Sequence, residues 1–585
     1  MDNDLKDELL ANGDTENEIH IANSENLANP ILNKENQTNQ RQLTDEDIRL
    51  GGSTPLKTVC FLSVGPLVSQ LTSALYGVIN TIWVSKALGD SGLTAIATYQ
   101  NFDFIGRSFA AFLQVSATTK IASLFGEGLN SEATQVFTDL LRFSVICSII
   151  TPSLFIPLSK ICVKWFGAEE FIINLGFKYI VPNLCLSIVP CIFLIGCGCL
   201  QAEGRSWLFS LTQVVALCLN MFVFCPLFLL GFKIGIAGAA LATGLAELIP
   251  GVTIILLFYF GKFGIKPKLS QMLNKFSPHS FEALKLGLAQ LILQISWCIP
   301  GIIVRKLIGL ECDHDANLFN NVMAGFNTFN RYWPIEAAVP NAINIGFIPA
   351  AAYANGAKRY MRICWLLFHA LWISVIWCSL ATVLMMGFPI PMAKVFSNTP
   401  DYLYWAKVFL FNGNIATCVC EVPGIITSLL QAMKKGNQAS VLSFLVQLLP
   451  VPVAAYFLYL SDKHNIPRLV YCYPIQTFFG VIVSIPFVVV VMREIFRKNR
   501  EQALNGEVPV LDDENRRNEN ELDDVSVSNS GKLAALPSSS NENLDADENN
   551  KKPVSESLKR DANGDSIEDF IDEHHETDEA NVSEL

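Results

Sequence analysis

Hydrophobic residues form twelve long segments between about residues 55 and 492, and short polar turns separate them. Each segment holds about 20 or more mostly apolar residues, the length that an α-helix needs to cross a bilayer. The pattern predicts an all-α integral membrane protein with twelve transmembrane helices. The predicted spans are 56–80, 93–122, 136–158, 174–199, 207–231, 235–260, 283–307, 317–349, 361–388, 402–430, 438–460 and 468–492.

The first six spans resemble the last six. Leu200-Gln201-Ala202 at the end of span four recurs as Leu430-Gln431-Ala432 at the end of span ten, 230 positions later. Gly128 follows span two and Gly356 follows span eight, 228 positions later. Six spans per half leave both halves in the same orientation, and duplicated halves place a transport pathway between them. We therefore expect two pseudo-symmetric lobes of six helices each.

Composition divides the chain into five parts. Residues 1–54 and 496–585 are acidic, rich in Asn and Ser and poor in aromatic residues, which predicts disordered tails. The apolar spans assign the N-lobe to 55–260 and the C-lobe to 283–495. The polar stretch 261–282 between them is the predicted inter-lobe loop.

Charge separates the tails from the membrane domain. The chain carries −12 in total, of which residues 1–50 contribute −8 and residues 501–585 contribute −17, leaving +13 in the middle. Lys and Arg are in excess at the span ends on the side of the termini. The positive-inside rule then predicts cytoplasmic termini and a cytoplasmic inter-lobe loop. We expect a multi-pass protein of the plasma membrane.

The composition also bears on whether the chain binds nucleic acid or a metal. A basic patch that would favour nucleic acid is not evident, so the expected surroundings are the lipid bilayer and no nucleic acid. The sixteen cysteines lie mostly inside apolar runs without a CxxC pair, which disfavours a metal or redox site.

Two stretches resemble the multidrug and toxic compound extrusion (MATE) family. One runs from Gly65-Pro66 through Tyr76-Gly77-Val78-Ile79-Asn80-Thr81-Ile82-Trp83, and the other joins Leu200-Gln201-Ala202-Glu203-Gly204 to Gly235-Ile236-Ala237-Gly238. The similarity covers roughly residues 55–495 and is more specific in the first half. It implies two six-helix lobes around a central cavity. It also implies a secondary-active antiporter that exports organic cations or other xenobiotic compounds in exchange for H⁺ or Na⁺, with no cofactor.

One departure from the family concerns its coupling residue. The family commonly has Asp where this chain has Asn80, and in part of the family that Asp is a proposed proton-binding residue. Because an amide cannot titrate, two readings remain open. The coupling group lies elsewhere, or Asn80 coordinates a substrate or cation through its amide.

Acidic residues inside the spans are the main candidates for ion coupling or substrate binding. A charge at mid-bilayer costs about 2.5–3.5 kcal/mol on insertion scales, so each such residue is expected to have a functional or structural role. Glu421 precedes Pro423-Gly424, a helix breaker that frees backbone carbonyls for cations. Glu247 precedes a similar breaker and is as well explained as a structural acid. The four candidate carboxylates are Asp103, Glu247, Glu336 and Glu421.

Two arginines are candidates for an inter-lobe interaction. Asp103 and Arg107 lie four residues apart and share a helix face in span two. At the repeat offset of 228, Arg331 in span eight corresponds to Asp103, so an ion pair between the lobes could hold one gate closed. The alternative interpretations are a self-neutralising pair within span two and an Arg331–Glu336 interaction within span eight.

Polar and aromatic residues at helical spacing suit a cavity for cationic, aromatic compounds. Aromatic faces attract organic cations by roughly 0.5–2 kcal/mol. Pro66 removes a helical hydrogen bond from span one and is a candidate hinge. The candidate lining residues are Asn80, Gln290, Asn327, Asn330, Tyr76, Tyr332 and Trp333.

Three other functions are weighed against the antiporter. A lipid-linked sugar flippase of the related superfamily would line its cavity with bases, whereas acids here match or outnumber bases. A receptor or scaffold without transport would depend on the tails and would tolerate amides in place of the membrane carboxylates. An enzyme is disfavoured, since no nucleophile–base pair or metal set stands out.

Overall fold

The computed structural model describes residues 45–165, 170–312, 316–462 and 465–505, and these residues contain helices and no strand. The predicted all-α fold of twelve spans is confirmed. Pro55–Glu127 supplies spans one and two. The remaining spans are Asn130–Trp165, Glu170–Cys185 with Ile188–Ala202, Ser206–Gly231, Ile236–Tyr259, Pro278–Glu311, Ala316–Gly356, Tyr360–Gly387, Pro400–Gly413 with Val422–Ala432, Gly436–Ser461 and Cys472–Leu504.

Spans one and two are separated by a single glycine. Gly89 has φ 65° and ψ −167°, a conformation that glycine adopts without a steric penalty. At Pro66 the helix continues without a non-helical residue. The adjacent Gly65 packs so closely on span five that an added Cβ would lie 2.3 Å from the carbonyl oxygen of Ser206. A moving hinge at Pro66 stays a prediction.

We call the side of the membrane domain at which the described chain begins and ends the terminal face. Residues 45–51 there form the helix Asp45–Gly51, so the prediction of a disordered tail up to residue 54 was wrong at its end. Leu50 is fully buried, and the Tyr353 hydroxyl donates a hydrogen bond to Asp47 Oδ1 at 2.6 Å. These tertiary contacts order a segment whose composition is that of a tail.

The other end shows the same correction, because span twelve extends to Leu504 rather than ending before residue 496. The rest of both predicted tails, residues 1–44 and 506–585, lies outside the described residues. The predicted inter-lobe loop 261–282 is also shorter than expected, since span seven begins at Pro278.

The inter-lobe loop is anchored by Glu203, at the end of span four. Glu203 is fully buried and accepts hydrogen bonds from the Ile265 backbone amide and from Arg205 Nε, both at 2.9 Å. Burial raises the pKa of Glu203, although both hydrogen bonds act in the opposite direction. The carboxyl group therefore fixes the start of the loop against the N-lobe.

The two lobes repeat each other's irregularities. Span four bends by 49° between its two helices, and span ten bends by 43° at the equivalent break. Span five contains the π-helical segments Leu219–Phe224 and Leu227–Gly231, and span eleven contains Phe444–Leu448. Shared departures from regular helix support an internal repeat more strongly than shared helices do.

Left-handed residues at the terminal face fix the offset of this repeat. Gly204 and Lys434 have φ 71° and 61° at the ends of spans four and ten, 230 positions apart. Gly128 and Lys358 have φ 78° and 57° at the ends of spans two and eight, also 230 positions apart. Gly128 thus corresponds to Lys358, and its match to Gly356 in the sequence was two positions off.

Apolar packing near the terminal face differs from apolar packing near the opposite face of the membrane domain. Near the terminal face a single core includes buried residues of both lobes, such as Leu113 of span two and Phe347 of span eight. Toward the opposite face, separate clusters form within the C-lobe, around Phe326 and Phe409, and within the N-lobe, around Tyr99. The lobes therefore share a core at the terminal face.

Ion pairs join the lobes on that same face. The buried Lys120 of span two pairs with Glu282 of span seven at 2.5 Å. Glu127 at the end of span two pairs with Lys434. Between these pairs, Gly126 approaches span eight so closely that an added Cβ would lie 2.3 Å from the Tyr353 carbonyl oxygen.

Candidate functional site

Four polar side chains from three spans meet inside the N-lobe, and we call them the N-lobe polar cluster. Arg107 donates a hydrogen bond to Glu247 Oε1 at 2.5 Å. Its guanidinium also lies 3.8 Å from Asp103 Oδ1, and Asn183 donates to that same oxygen at 2.6 Å. Spans two, four and six are therefore linked by charge-assisted hydrogen bonds.

The N-lobe polar cluster borders a cavity of about 350 Å³, a volume that includes solvent at its mouth. Glu247 is 9% exposed, and its Oε2 has no hydrogen-bond partner within the described part of the chain. Two carboxylates face one guanidinium, so the ionised cluster would carry one net negative charge. A buried carboxylate oxygen without a donor is unfavourable, and a bound cation would stabilise it.

The second site is the C-lobe acidic pair, Glu336 of span eight and Glu421 of span ten. Glu336 is 5% exposed, and its carboxyl group is close enough to Glu421 for the two to interact electrostatically. The Cys420 thiol lies 4.0 Å from Glu336 Oε1, and the Trp377 indole donates to the Glu336 carbonyl at 2.9 Å. Among the described residues neither acid forms an ion pair.

The break in span ten positions Glu421. The first helix of that span ends at Gly413, and the second begins at Val422 with Pro423 in its first turn, where proline costs no hydrogen bond. Glu421 is the residue just before the second helix. Its carboxyl group lies beside Gly424 and near the Asn344 amide of span eight.

Span eight carries the predicted polar and aromatic residues toward the opposite face. Arg331 lies over the Phe396 ring at 5.0 Å, and the Tyr332 hydroxyl donates to the Met392 carbonyl at 3.0 Å. Both interactions stay within the C-lobe. Trp333 is 38% exposed.

Comparison with known proteins decides the family. The sequence profile of the MatE family matches residues 67–227 and 317–456, about half of the chain and part of each lobe. This chain belongs to the MatE family. The resemblance seen in the motifs of spans one and four is thereby confirmed, and the family is one of membrane transporters.

Relatives of this MatE chain include bacterial exporters. It is 18% identical over 408 residues to the multidrug export protein MepA of Staphylococcus haemolyticus, covering 68% of this chain and 86% of that protein. It is 20% identical over 416 residues to MepA of Staphylococcus aureus strain N315, covering 70% and 89%.

Solved structures share the MatE fold. An outward-facing multidrug resistance MATE transporter of the MOP superfamily matches with TM-score 0.69 and 19% identity, over 79% of this chain and all of that one. A MOP superfamily transporter from Pyrococcus furiosus, described as having a binding pocket of reverse polarity, matches with TM-score 0.70 and 18% identity over the same shares. At these identities the likeness establishes the fold alone.

The structure corrects one MatE site prediction. An inter-lobe pair of Asp103 or Arg107 with Arg331 is not formed, because the first two bind within the N-lobe and Arg331 lies over Phe396. The repeat offset of 230 explains the error, since it relates Asp103 to Trp333 rather than to Arg331. The alternative Arg331–Glu336 interaction is not formed either.

The other predicted lining residues lie in spans one, seven and eight, and their contacts do not define a common site. Asn327 and Asn330 are exposed on span eight, and Gln290 is partly buried in span seven. The Asn330 amide donates to the Phe326 carbonyl of its own helix at 3.0 Å. Tyr76 and Asn80 lie in span one, but their side chains are outside the described part of the structure.

Two amides in the sites escaped the sequence analysis. Asn183 binds Asp103, and Asn344 lies beside Glu421 and accepts a hydrogen bond from Ser428 at 3.2 Å. Asn183 follows Pro182 in an apolar span, which was the available signal. Asn344 does not follow a proline directly, and the sequence analysis did not single it out.

Proposed function

We propose that this protein is a secondary-active antiporter that exports organic cations in exchange for H⁺ or Na⁺. The observation that carries the proposal is the C-lobe acidic pair, in which the buried Glu336 lies close to the half-buried Glu421 and neither has an ion-pair partner among the described residues. Since one solved relative has a pocket of reverse polarity, the fold does not fix the sign of the cargo. That sign is inferred from the acids of this chain.

Coupling would follow from the cost of burying uncompensated negative charge. Two neighbouring carboxylates in a low-dielectric interior are unfavourable until a cation neutralises them. A proton or Na⁺ could do so, and so could an organic cation that approaches from the cavity. Where the ion and the organic cation compete for the same carboxyl group, occupation by one would displace the other.

The surroundings of Glu421 offer ligands for either ion. A proton needs only the carboxyl group. A sodium ion needs several oxygens, and the break in span ten provides backbone carbonyls near Glu421 and the Asn344 amide. The exposed Trp333 would supply an aromatic face to an organic cation.

The arrangement of the cores supports an orientation for the transport cycle. We assign the terminal face to the cytoplasm of a plasma-membrane protein, because Lys and Arg concentrate there. The lobes share their core and their ion pairs on that side. The described conformation is accordingly proposed to be closed toward the cytoplasm, with the cargo site reached from outside.

Ethidium efflux from proteoliposomes tests the proposal. A H⁺ gradient and a Na⁺ gradient are imposed in separate experiments on the wild type, Glu336→Gln and Glu421→Gln. We expect gradient-driven transport to fall at least about tenfold in both variants, since an amide removes the exchangeable charge without changing the shape. Asp401→Asn, an exposed acid at the start of span ten, is the matched control and should transport normally.

The gradient that drives wild-type transport identifies the coupling ion. Full gradient-driven transport by both Glu→Gln variants would overturn the proposed coupling site. Transport of organic anions in preference to ethidium by the wild type would overturn the proposed cargo.

A further inference from the structure

A basic pocket lies at the edge of the terminal face, remote from both acidic sites. It opens to the outside of the protein and encloses about 850 Å³, a volume that includes open solvent at its mouth. The ends of spans eight and twelve and the starts of spans one and nine form its wall. Its lining comprises Pro55, Lys358, Arg359, Tyr360, Met361, Arg362, Trp365, Asn499, Gln502 and Ala503.

The lining of the basic pocket favours an anion. Among the described lining residues, three side chains are basic, two are amides and none is acidic. Arg359 donates to the Gly51 carbonyl at 2.7 Å, and Arg362 donates to the Ser53 carbonyl at 2.8 Å. These two arginines thus hold the chain before span one while adding positive charge to the pocket wall.

The start of span nine adds to the positive electrostatic potential in the basic pocket. Its helix begins at Tyr360, and no side chain of the described residues caps it. The positive end of the helix dipole and its first amide groups therefore face the region lined by Tyr360 and Met361. A phosphate group suits such a helix start.

Lys358 has a backbone conformation that is unfavourable for a residue other than glycine. Lys358 has φ 57°, a conformation that suits glycine, and the equivalent residue of the N-lobe is Gly128. Lys434 occupies the other such position of the C-lobe and pairs with Glu127.

The position of the basic pocket at the membrane boundary favours a lipid over a soluble anion. Trp365 is 54% exposed and begins a row of exposed apolar side chains along one face of span nine. The row continues with Phe368, Trp372, Ile376, Leu380 and Val383. Tryptophan marks the membrane–water boundary, so the pocket opens where a headgroup meets the acyl region.

We propose that the basic pocket binds the headgroup phosphate of an anionic phospholipid, whose acyl chains lie along the exposed face of span nine. Lys358 and Arg359 contact the phosphate, and Trp365 contacts the glycerol and upper acyl region. Basic pockets between transmembrane helices are suited to such lipids. The bound lipid would also support the contacts of Arg359 and Arg362 with the segment before span one.

Lipid retention by the full chain tests this site. The protein is reconstituted into nanodiscs of phosphatidylcholine with or without phosphatidylinositol, and lipids that survive purification are counted by native mass spectrometry. Wild type should retain phosphatidylinositol. Lys358→Gly should reduce this retention about fivefold, because one basic group near a membrane surface contributes that much. Lys358→Arg should preserve it.

The variants control for folding. Lys358→Gly suits the left-handed backbone, so loss of the charge is separated from loss of the fold. Lys233→Gly is the matched control, because Lys233 has φ 50° in a turn at the opposite face. Trp365→Ala is a second variant and should weaken lipid retention without removing charge.

Three results would overturn the proposal. Wild type and Lys358→Gly could retain phosphatidylinositol equally. Inorganic phosphate or glycerophosphate could raise the thermal unfolding midpoint as much as the lipid does, which would indicate a site for free anions. A photo-cross-linker at position 358 could capture residues beyond 505 with the same yield in both nanodiscs, which would indicate that the acidic end of this chain fills the pocket.

Discussion

A single arginine compensates two acids in the N-lobe, and this makes its removal the most informative change there. Without Arg107, Glu247 and Asp103 both line the cavity, and Asn183 is the remaining donor to this pair among the described residues. Removing one partner of a fully buried ion pair costs about 3–5 kcal/mol. Since the Arg107 side chain is 36% exposed, the expected cost is lower, about 1–3 kcal/mol.

Arg107→Met should therefore lower the thermal unfolding midpoint, and adding Glu247→Gln should restore much of the loss. The double variant leaves a single carboxylate instead of two uncompensated ones. Arg497→Met is the control, since Arg497 is 69% exposed beside Glu501 and should change the midpoint little. An Arg107→Met protein as stable as wild type would show that the N-lobe polar cluster does not depend on this ion pair.

The acids could be predicted from the sequence, whereas their partners could not. Glu336 and Glu421 are conspicuous because charged residues are rare in apolar spans. Asn344 is unmarked in sequence, and its place beside Glu421 depends on how spans eight and ten pack. Ion-pair partners were misassigned because the repeat relates equivalent positions of the two lobes, and equivalent positions need not be in contact.

Contacts between helices depend on glycines where spans two and eight meet. An added Cβ at Gly126 would lie 2.3 Å from the Tyr353 carbonyl oxygen, and one at Gly356 would lie 2.1 Å from the Ser123 carbonyl oxygen. Backbone atoms cannot rotate away as side chains do. Each alanine substitution would force the two spans apart on the terminal face.

Gly126→Ala and Gly356→Ala should each destabilise the protein by about 1–3 kcal/mol, the usual cost of overpacking. Thermal unfolding in detergent measures the effect. Gly301→Ala in span seven is the control, because an added Cβ there meets no atom within 4 Å. In a helix that change should be neutral or slightly stabilising. Equal midpoints for all three variants would contradict the close packing.

Helices were predictable to a greater degree than their irregularities. Length and apolarity identify the spans without tertiary information. The break at Gly89 and the short helix Asp45–Gly51 follow from local backbone freedom and from burial against Tyr353, respectively. The predicted spans 56–80 and 93–122 already left the region of Gly89 between two helices. The short helix was missed, because its burial leaves no mark in the hydropathy pattern.

At the scale of the whole molecule, ion pairs across the lobes should control access at the terminal face. Glu127 and Lys434 come from different lobes, whereas the adjacent Lys435 pairs with Glu494 inside the C-lobe. Reversing one charge of the inter-lobe pair sets two like charges against each other. The lobes would then be driven apart on that face.

Lys434→Glu and Glu127→Lys should each slow ethidium export several-fold, and the double reversal should recover at least half of the wild-type rate. Lys435→Glu is the matched control. Its effect on export should be small, because Lys435 and its partner Glu494 belong to the same lobe and move together. If the double reversal transports no better than the single variants, the Glu127–Lys434 pair does not control access.

Alanines are numerous in the core that the two lobes share at the terminal face. Ala350, Ala351, Ala352 and Ala354 of span eight are fully buried in the shared core, as are Ala117 and Ala122 of span two. Each buried CH₂ group contributes about 0.8 kcal/mol, so a methyl side chain loses little when it is wetted. Where alanines meet across this core, the lobes can separate and close again at a lower cost than leucines would impose. The charged groups at the terminal face then contribute more of the energy barrier between conformations, and a passing ion can change their strength.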